Sequence, residues 1–256
     1  MIQLWDNHIL GTVTIDQKSE SPYYEFDDAL TDTRLSRRGR TLDVDGEWIT
    51  FDFGSAVTAD YCAILAHNIT SGATVKIQAN SSDSWAAPPV DETIDIDQVE
   101  TGTVDDIILH NFTSSEYRYW RLYIDDDSNS DGYIEIGYIF IGEYTQWPGM
   151  DRAQVFPYRT NSEPQKSSSG QLYGSKLLRY KAAEINFPYV TNTERKSLVT
   201  MFDTVDIVRP FILVFWENDL DVEPPLYCNF TDELEFNRLD ERGTGWTLSI
   251  EIEECF

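Results

Sequence analysis

The chain contains few cysteines and histidines, and it lacks the short motifs that mark several common enzyme classes. Cys62, Cys228 and Cys255 are the three cysteines among 256 residues, and they form no CxxC pair. This pattern argues against a disulfide framework or a cysteine zinc site. The three histidines match neither an HExxH nor a Ser-His-Asp pattern, and no phosphate-binding glycine loop occurs. His67 follows an apolar stretch, where we expect a structural histidine.

Long apolar runs are also missing. No stretch of about 18 apolar residues occurs, so the sequence predicts no helix that spans a membrane. The first six residues lack the basic and apolar regions of a signal peptide. We therefore expect synthesis in a cytoplasm and no insertion into a membrane.

Basic residues are scarce, and the charge is uneven along the chain. There are 45 acidic and 19 basic residues, a formal net charge of −26. Residues 1–143 hold 27 acidic and 8 basic residues, a net of −19, and residues 144–256 hold 18 and 11, a net of −7. Because nucleic-acid binding depends on cationic contacts with phosphate, this charge argues against DNA or RNA as a partner. It indicates a well-solvated surface, or one that attracts divalent cations.

Alternation of apolar and polar residues dominates the first 144 residues. Residues 48–54 and 117–124 alternate with a period of two, which is typical of half-buried strands. Further apolar stretches at 63–68, 73–78 and 132–142 complete the pattern. The segment therefore predicts a β-sandwich.

The order of these strands resembles the discoidin-like, galactose-binding jelly-roll family over residues 1–144. The matching motifs are a strand that begins at Trp48 and ends in Asp-x-Gly at Gly54, residues 75–79, an Arg-Tyr-x-Arg-Leu strand at 118–122, and a closing strand that ends at Gly142. The resemblance implies a jelly-roll fold, and it often implies carbohydrate binding. Fold alone does not give function.

The remaining residues predict a second, mixed domain. Residues 145–171 carry three prolines, two glycines and a serine run, which predict a linker or extended arm. In residues 172–256 we expect an alternating strand that ends before Pro188, a helix over 193–206, and antiparallel strands after it. Thr191 or Asn192 is the expected helix cap, with Glu194 completing a capping box. The predicted fold class is thus mainly β: a discoidin-like β-sandwich followed by an α+β unit with one helix.

This C-terminal pattern resembles modules of tailed-bacteriophage distal-tail and minor tail proteins. The matches are Tyr180, the 193–206 helix, and strands at 210–216, 226–230 and 245–253. The resemblance implies a non-enzymatic structural component of a tail tip or baseplate, made in the bacterial host cytoplasm and located in the virion. It implies as partners other tail proteins and further copies of this chain in a homo-oligomeric ring, with host surface glycan as a further ligand. No cofactor is expected beyond a calcium ion.

Two groups of residues are candidates for glycan binding, because sugars stack on aromatic rings that have polar neighbours. One is the loop residue Trp85 with Asp83, and the other is Tyr23 and Tyr24 near Arg37. The structural alternative for both groups is packing against the rim of the jelly roll or against a neighbouring subunit.

Aromatic residues near and after the predicted linker are candidates for assembly contacts. Trp147, Phe156 and Tyr158 lie in the linker, where free aromatic residues are uncommon. Trp216 is a further candidate, with a place in the core as its alternative.

The segment 125–132 contains the first half of a calcium loop. Asp125, Asp127, Asn129 and Asp131 offer alternate oxygen ligands before Gly132, but the glutamate that an EF-hand needs later in the loop is replaced by Tyr138. The alternative is a solvated polar turn between two strands.

Two other functions remain open from the sequence. The first alternative to the tail-tip role is a free-standing carbohydrate-binding module or host-glycan adhesin, and the second is a glycan-degrading enzyme that uses two carboxylates. With 45 acidic residues, pairs occur by chance and no single carboxylate is selected. We therefore expect no enzymatic activity.

Overall fold

A computed structural model describes residues 1–96, 107–150, 155–215, 225–239 and 245–255. The protein is mainly β, with antiparallel sheets and two α-helices among these residues. It divides into two compact units. The first unit contains Met1–Thr145 with 213–215 and Pro225, and the second contains the described parts of Gln146–Ile212 and Leu226–Cys255.

The elements up to residue 146 are mostly short, apart from two long strands. A 3-10 helix spans His8–Leu10, and helix α1 spans Phe26–Leu30. The strands are β1 (Ile2–Leu4), β2 (Thr14–Gln17), β3 (Gly39–Arg40), β4 (Glu47–Leu65), β5 (Thr74–Asn80), β6 (Val90–Ile94), β7 (Ile107–Asp125), β8 (Glu135–Ile136), β9 (Tyr138–Gly142) and β10 (Thr145–Gln146).

The later elements include one longer helix, α2 (Asn192–Val205). The strands are β11 (Tyr158–Thr160), β12 (Gln165–Lys166), β13 (Leu172–Tyr173), β14 (Arg179–Thr191), β15 (Phe211–Val214), β16 (Leu226–Phe230), β17 (Glu235–Arg238) and β18 (Gly245–Glu254).

The main sheet of the first unit has the order β2-β4-β7-β5-β6, with β9 also paired to β4. Buried residues of these strands form one hydrophobic core that includes Phe51, Ile64 and Trp120. The strand expected to stop at Gly54 instead continues to Leu65. Gly54 adopts a φ of +73° and its N–H bonds to Asp52 Oδ1, so the chain bulges there without ending the strand.

The second unit is built on the pairing of β14 with β18. Thr191 caps α2, and the Thr191 side chain and the Glu194 side chain form the predicted capping box. The expectation that β14 ends before Pro188 was wrong, because a shift of register between Phe187 and Val190 carries the strand to Thr191. Among the described residues, no helix is both long and apolar enough to span a membrane.

Candidate functional site

A surface pocket of about 300 Å³ lies in the first unit beside α1, β3 and β8. Tyr23, Tyr24 and Arg37, which the sequence singled out as a group, all line this pocket. The complete lining is Tyr23, Tyr24, Glu25, Asp28, Ala29, Ser36, Arg37, Arg38, Arg40 and Glu135.

Helix α1 anchors one side of the pocket. Phe26, Ala29 and Leu30 on its inner face are buried, and the Phe26 N–H donates to Glu20 Oε1 at 2.5 Å. The backbone of Gly39 passes so close to the Phe26 ring that a Cβ there would clash with it. Glycine therefore allows β3 to pack directly on the helix.

A charge network around one buried carboxylate forms the base of the pocket. The antiparallel pairing of β3 with β8 places Arg40 opposite Glu135, and the two side chains form an ion pair. Arg38 Nη1 bonds to the other carboxylate oxygen of Glu135 at 2.6 Å. Glu135 is 7% exposed, so two guanidinium groups satisfy a carboxylate that is almost removed from water.

Two aromatic rings lie close to the guanidinium of Arg40. Its Cζ lies 3.9 Å from the ring centroid of Tyr24 and 4.7 Å from that of Tyr133. The Arg40 N–H also bonds to the Tyr24 carbonyl. These contacts hold Tyr24 against the pocket base, and they leave the neighbouring Tyr23 ring outside, 88% exposed.

The rim of the pocket is polar. Arg37 contacts the carboxylates of Asp28 and Asp32, each at 3.3 Å, and Glu25 is exposed. A hydrogen bond from Arg34 holds the pKa of Asp32 at about 2. Three arginines and three carboxylates line the pocket, so the lining as a whole is close to neutral.

His67 lies behind this network as a structural residue. Its Nδ1 accepts a hydrogen bond from the Ile69 N–H, and its Nε2 is buried without a partner among the described residues. Burial, with a smaller effect from the charge of Arg38, lowers the pKa of His67 to about 4, while the charge of Asp126 opposes this shift. The imidazole is therefore neutral at pH 7.

Trp85 and Asp83 lie away from the pocket. The indole Nε1 of Trp85 donates to Asp83 Oδ1 at 2.6 Å, and the guanidinium of Arg121 lies 4.4 Å from the Trp85 ring centroid. The structure thus separates the two predicted glycan-binding groups into different parts of the first unit.

The four predicted calcium ligands do not converge. Asp125 and Asp127 lie together with Asp45, with oxygens within 4.8 Å of one another. Asn129 instead donates to the Asn68 carbonyl, and Asp131 accepts from the Asn68 side chain. Two of the four predicted ligands, Asn129 and Asp131, therefore bond to Asn68, and only Asp125 and Asp127 lie together.

Asp126 is the residue around which the 125–132 turn is built. It is fully buried and accepts hydrogen bonds from Thr70, Ser128 and Asn129, a role that the sequence analysis missed. These bonds orient Asn129 inward. Calcium binding at the remaining carboxylates stays a prediction.

The predicted assembly residues have different environments. Trp147 is 6% exposed, and its ring packs against Phe187, Phe211 and Phe230 in the core of the second unit, so it is not available to a neighbouring subunit. Tyr158 is 64% exposed, and Phe156 is partly buried. Trp216 lies outside the described residues.

Sequence reasoning also missed Arg40, Tyr133 and Glu135. The sequence feature that could have pointed to them is Glu135 itself, a single carboxylate between two isoleucines in the stretch 134–136. Such a residue is rarely buried unless it is paired. The identity of its partners depends on the β3–β8 pairing and could not be read from local sequence.

These features define a mainly β protein whose first unit presents a small polar and aromatic pocket to solvent. No protein-family description and no curated protein matches the chain. Similar solved structures include the family 32 carbohydrate-binding module of AlyQ in complex with 4,5-unsaturated mannuronic acid, at 20% identity and a TM-score of 0.37, over 50% of this chain and 92% of that one.

Two further similar structures have comparable scores. The family 32 module of C. perfringens NanJ in complex with galactose is 13% identical, with a TM-score of 0.41, over 57% of this chain and all of that chain (100%). The lectin domain of lectinolysin complexed with Lewis B antigen is 13% identical, with a TM-score of 0.40, over 54% of this chain and 97% of that one. At these values the function has to be argued from the site.

Proposed function

We propose that the first unit binds a neutral saccharide in the pocket beside α1. The observation that carries this proposal is the 88% exposed Tyr23, which lines the pocket together with the Arg38–Glu135–Arg40 network. An exposed ring beside fixed polar groups offers a stacking surface for the apolar face of a sugar.

The polar rim supplies partners for sugar hydroxyl groups. Arg37 donates, and the carboxylates of Asp28 and Glu25 accept, so both kinds of hydrogen bond are present. The lining is balanced in charge, and the chain carries −26 overall, so an anionic sugar gains little attraction and meets long-range repulsion. A neutral saccharide is therefore the favoured ligand class.

The proposed role is binding without catalysis. Both oxygens of the Glu135 carboxylate are occupied by arginine, so this group is not positioned as a general acid. The described pocket lining also contains no histidine or cysteine. A glycosidase would need two carboxylates across a scissile bond, one with a raised pKa.

Isothermal titration with the full chain tests the pocket. Galactose, glucose, mannose and N-acetylglucosamine are the neutral probes, and glucuronate is the anionic control. We expect at least one neutral sugar to bind and Tyr23→Ala to weaken that binding about tenfold or more, which corresponds to about 1.4 kcal/mol. Tyr23→Phe keeps the ring and should bind nearly as well. Unchanged binding by Tyr23→Ala, or preference for glucuronate, would contradict the proposal.

We also propose a role in assembly for the second unit, as a component of a tailed-bacteriophage tail tip. The observation that favours it is a group of large apolar side chains, each between 44% and 67% exposed, at Val155, Tyr158, Leu172, Tyr173, Leu177 and Leu178. Six such residues occur within 24 positions, and exposed apolar side chains of this kind suit a protein contact.

A further inference from the structure

The outward face of the main sheet carries a polar row that crosses five strands. The register pairs Asp16 with Thr50, Thr50 with Arg121, Arg121 with Gln78, and Gln78 with Asp91. The intervening residues of β4, β5 and β7 are buried in the core, so these five side chains lie on the opposite face. Four strand spacings make the row about 19 Å long.

Aromatic rings flank this polar row. In the next row along the strands, Trp48 is paired with Tyr123. On the other side, Tyr119 lies between Asp52 and Asn80. Trp85 does not line the pocket beside α1, and its ring centroid lies 4.4 Å from Cζ of Arg121. We name the polar row and these four rings the sheet face.

Arg121 is held in place but retains unused donors. Its Nε donates to Gln78 Oε1 at 2.8 Å, and Gln78 Nε2 in turn donates to Asp91 Oδ1 at 2.9 Å. Among the described residues, the two terminal nitrogens of the Arg121 guanidinium make no hydrogen bond. Burial lowers the pKa of Arg121, although nearby Asp83, Tyr123 and Asp91 oppose this.

The Thr50 hydroxyl is a second, independent sign of a binding site. Thr50 is 5% exposed, and its Oγ1 has no hydrogen-bond partner among the described residues. It is paired across the sheet with Arg121, which is the central residue of the polar row. Buried hydroxyl groups are normally bonded, so an unpartnered one beside unused arginine donors indicates a place where a ligand supplies the missing partner.

The chemistry of the sheet face favours a saccharide over a protein. Aromatic rings lie on both sides of a row of hydrogen-bonding side chains. None of the residues that form the sheet face is aliphatic. Aspartate is depleted in protein interfaces, whereas this row has Asp16 at one end and Asp91 at the other. The carboxylates, in a chain of net charge −26, also disfavour a polyanion.

We infer that the sheet face is a second binding site, for an extended chain of neutral sugars. It shares no residue with the pocket beside α1, and it stands whether or not the pocket binds sugar. The rings would stack on successive sugar units, and Arg121, Gln78 and Thr50 would bond to their hydroxyl groups.

Titration of the full chain with cellohexaose, xylohexaose, mannohexaose and chitohexaose tests this inference. We expect at least one hexasaccharide to bind the wild type and to bind Tyr23→Ala within about twofold of it, since the pocket is separate. Trp85→Ala should weaken binding about tenfold or more, whereas Trp85→Phe, which keeps a ring, should retain most of it. Thr50→Val keeps the shape of the side chain and should weaken binding without lowering the melting temperature, because it removes an unpartnered hydroxyl.

The other outcomes overturn the inference. If none of the four hexasaccharides binds Tyr23→Ala, or if Trp85→Ala and Thr50→Val bind as the wild type does, the sheet face is not a saccharide site. If Trp85→Ala instead changes the mass of the protein in light scattering, the face contacts another protein chain. A pocket that binds no sugar is detected by titration with single sugars and by Tyr23→Ala. That result leaves the inference about the sheet face unaffected.

Discussion

Glu135 is a charged residue whose position in an apolar strand is explained by its partners. It is buried between Arg38 and Arg40, and Arg40 is held between Tyr24 and Tyr133. Because the network fixes Tyr24 next to the exposed Tyr23, the same residues stabilise the fold and shape the candidate site.

Replacement of Glu135 with Gln should reduce the free energy of unfolding by about 1–3 kcal/mol, because it leaves two partly buried guanidinium groups without a charged partner. Urea unfolding measures this loss. Arg37→Gln is the matched control, since Arg37 and Asp28 form a largely exposed pair, and it should change stability by less than about 1 kcal/mol. Equal effects of the two variants would show that the network does not stabilise the protein.

His67 should make stability depend on pH. Its pKa in the folded protein is about 4, below the ordinary value of 6.5, so the unfolded chain binds the proton more tightly. The contribution of neutral His67 to the free energy of unfolding is therefore fully present above pH 6.5. It is lost as the pH falls from 6.5 towards 4, by at most about 3 kcal/mol. Protonation of Nδ1 also breaks its bond with the Ile69 N–H.

Thermal unfolding of the wild type and of His67→Gln between pH 7 and 4 isolates this contribution. The variant should lose less stability over that range, because it lacks the titrating group. Parallel pH profiles for the two proteins would assign the acid sensitivity to other residues.

At the level of helices and strands, the second unit shows which boundaries can be predicted from local sequence. The capping box of α2 was predicted from Thr191 and Glu194 and is confirmed. The end of β14 at Pro188 was predicted wrongly, because its continued pairing with β18 beyond a bulge overrides the local effect of proline. A cap acts within one turn, but the end of a strand depends on its neighbour.

Thr191→Ala should reduce the free energy of unfolding by about 1 kcal/mol, because α2 loses the side-chain bond to the Glu194 N–H. Urea unfolding followed by far-ultraviolet circular dichroism measures the change. Thr200→Ala is the control, since that hydroxyl donates to the Lys196 carbonyl within the helix and caps no helix end. If the control costs as much as Thr191→Ala, the cap has no special role.

At the scale of the whole molecule, exposed apolar residues and charge have different distributions. Large exposed apolar side chains are frequent in the second unit, whereas most of the negative charge lies in residues 1–143. Repulsion keeps the acidic part well solvated, and the apolar group favours contact with another protein chain.

Light scattering should therefore detect a mass above the 29.5 kDa of one chain, either alone or after mixing with tail-tip proteins. Replacement of Leu172 and Tyr173 with Ser should restore the monomer mass, since both side chains are more than half exposed and their removal costs little core packing. The corresponding change at Leu42, which is 64% exposed in the first unit, is the control and should leave the mass unaltered. A monomer under all conditions would contradict the proposed assembly role.

The mainly β class, the position and cap of α2, the acidic surface and the residue types suited to binding could all be predicted from the amino-acid sequence. These follow from short-range rules: alternation along a strand, bonds within one helical turn, and the sum of charges. The other features depend on tertiary contacts. Strand pairing brought Glu135 to the pocket that Tyr23 and Tyr24 line and placed Thr50 beside Arg121, and packing against aromatic rings buried Trp147. The physical reason is that sheet register brings together residues distant in the chain, and no local pattern specifies which strands become neighbours.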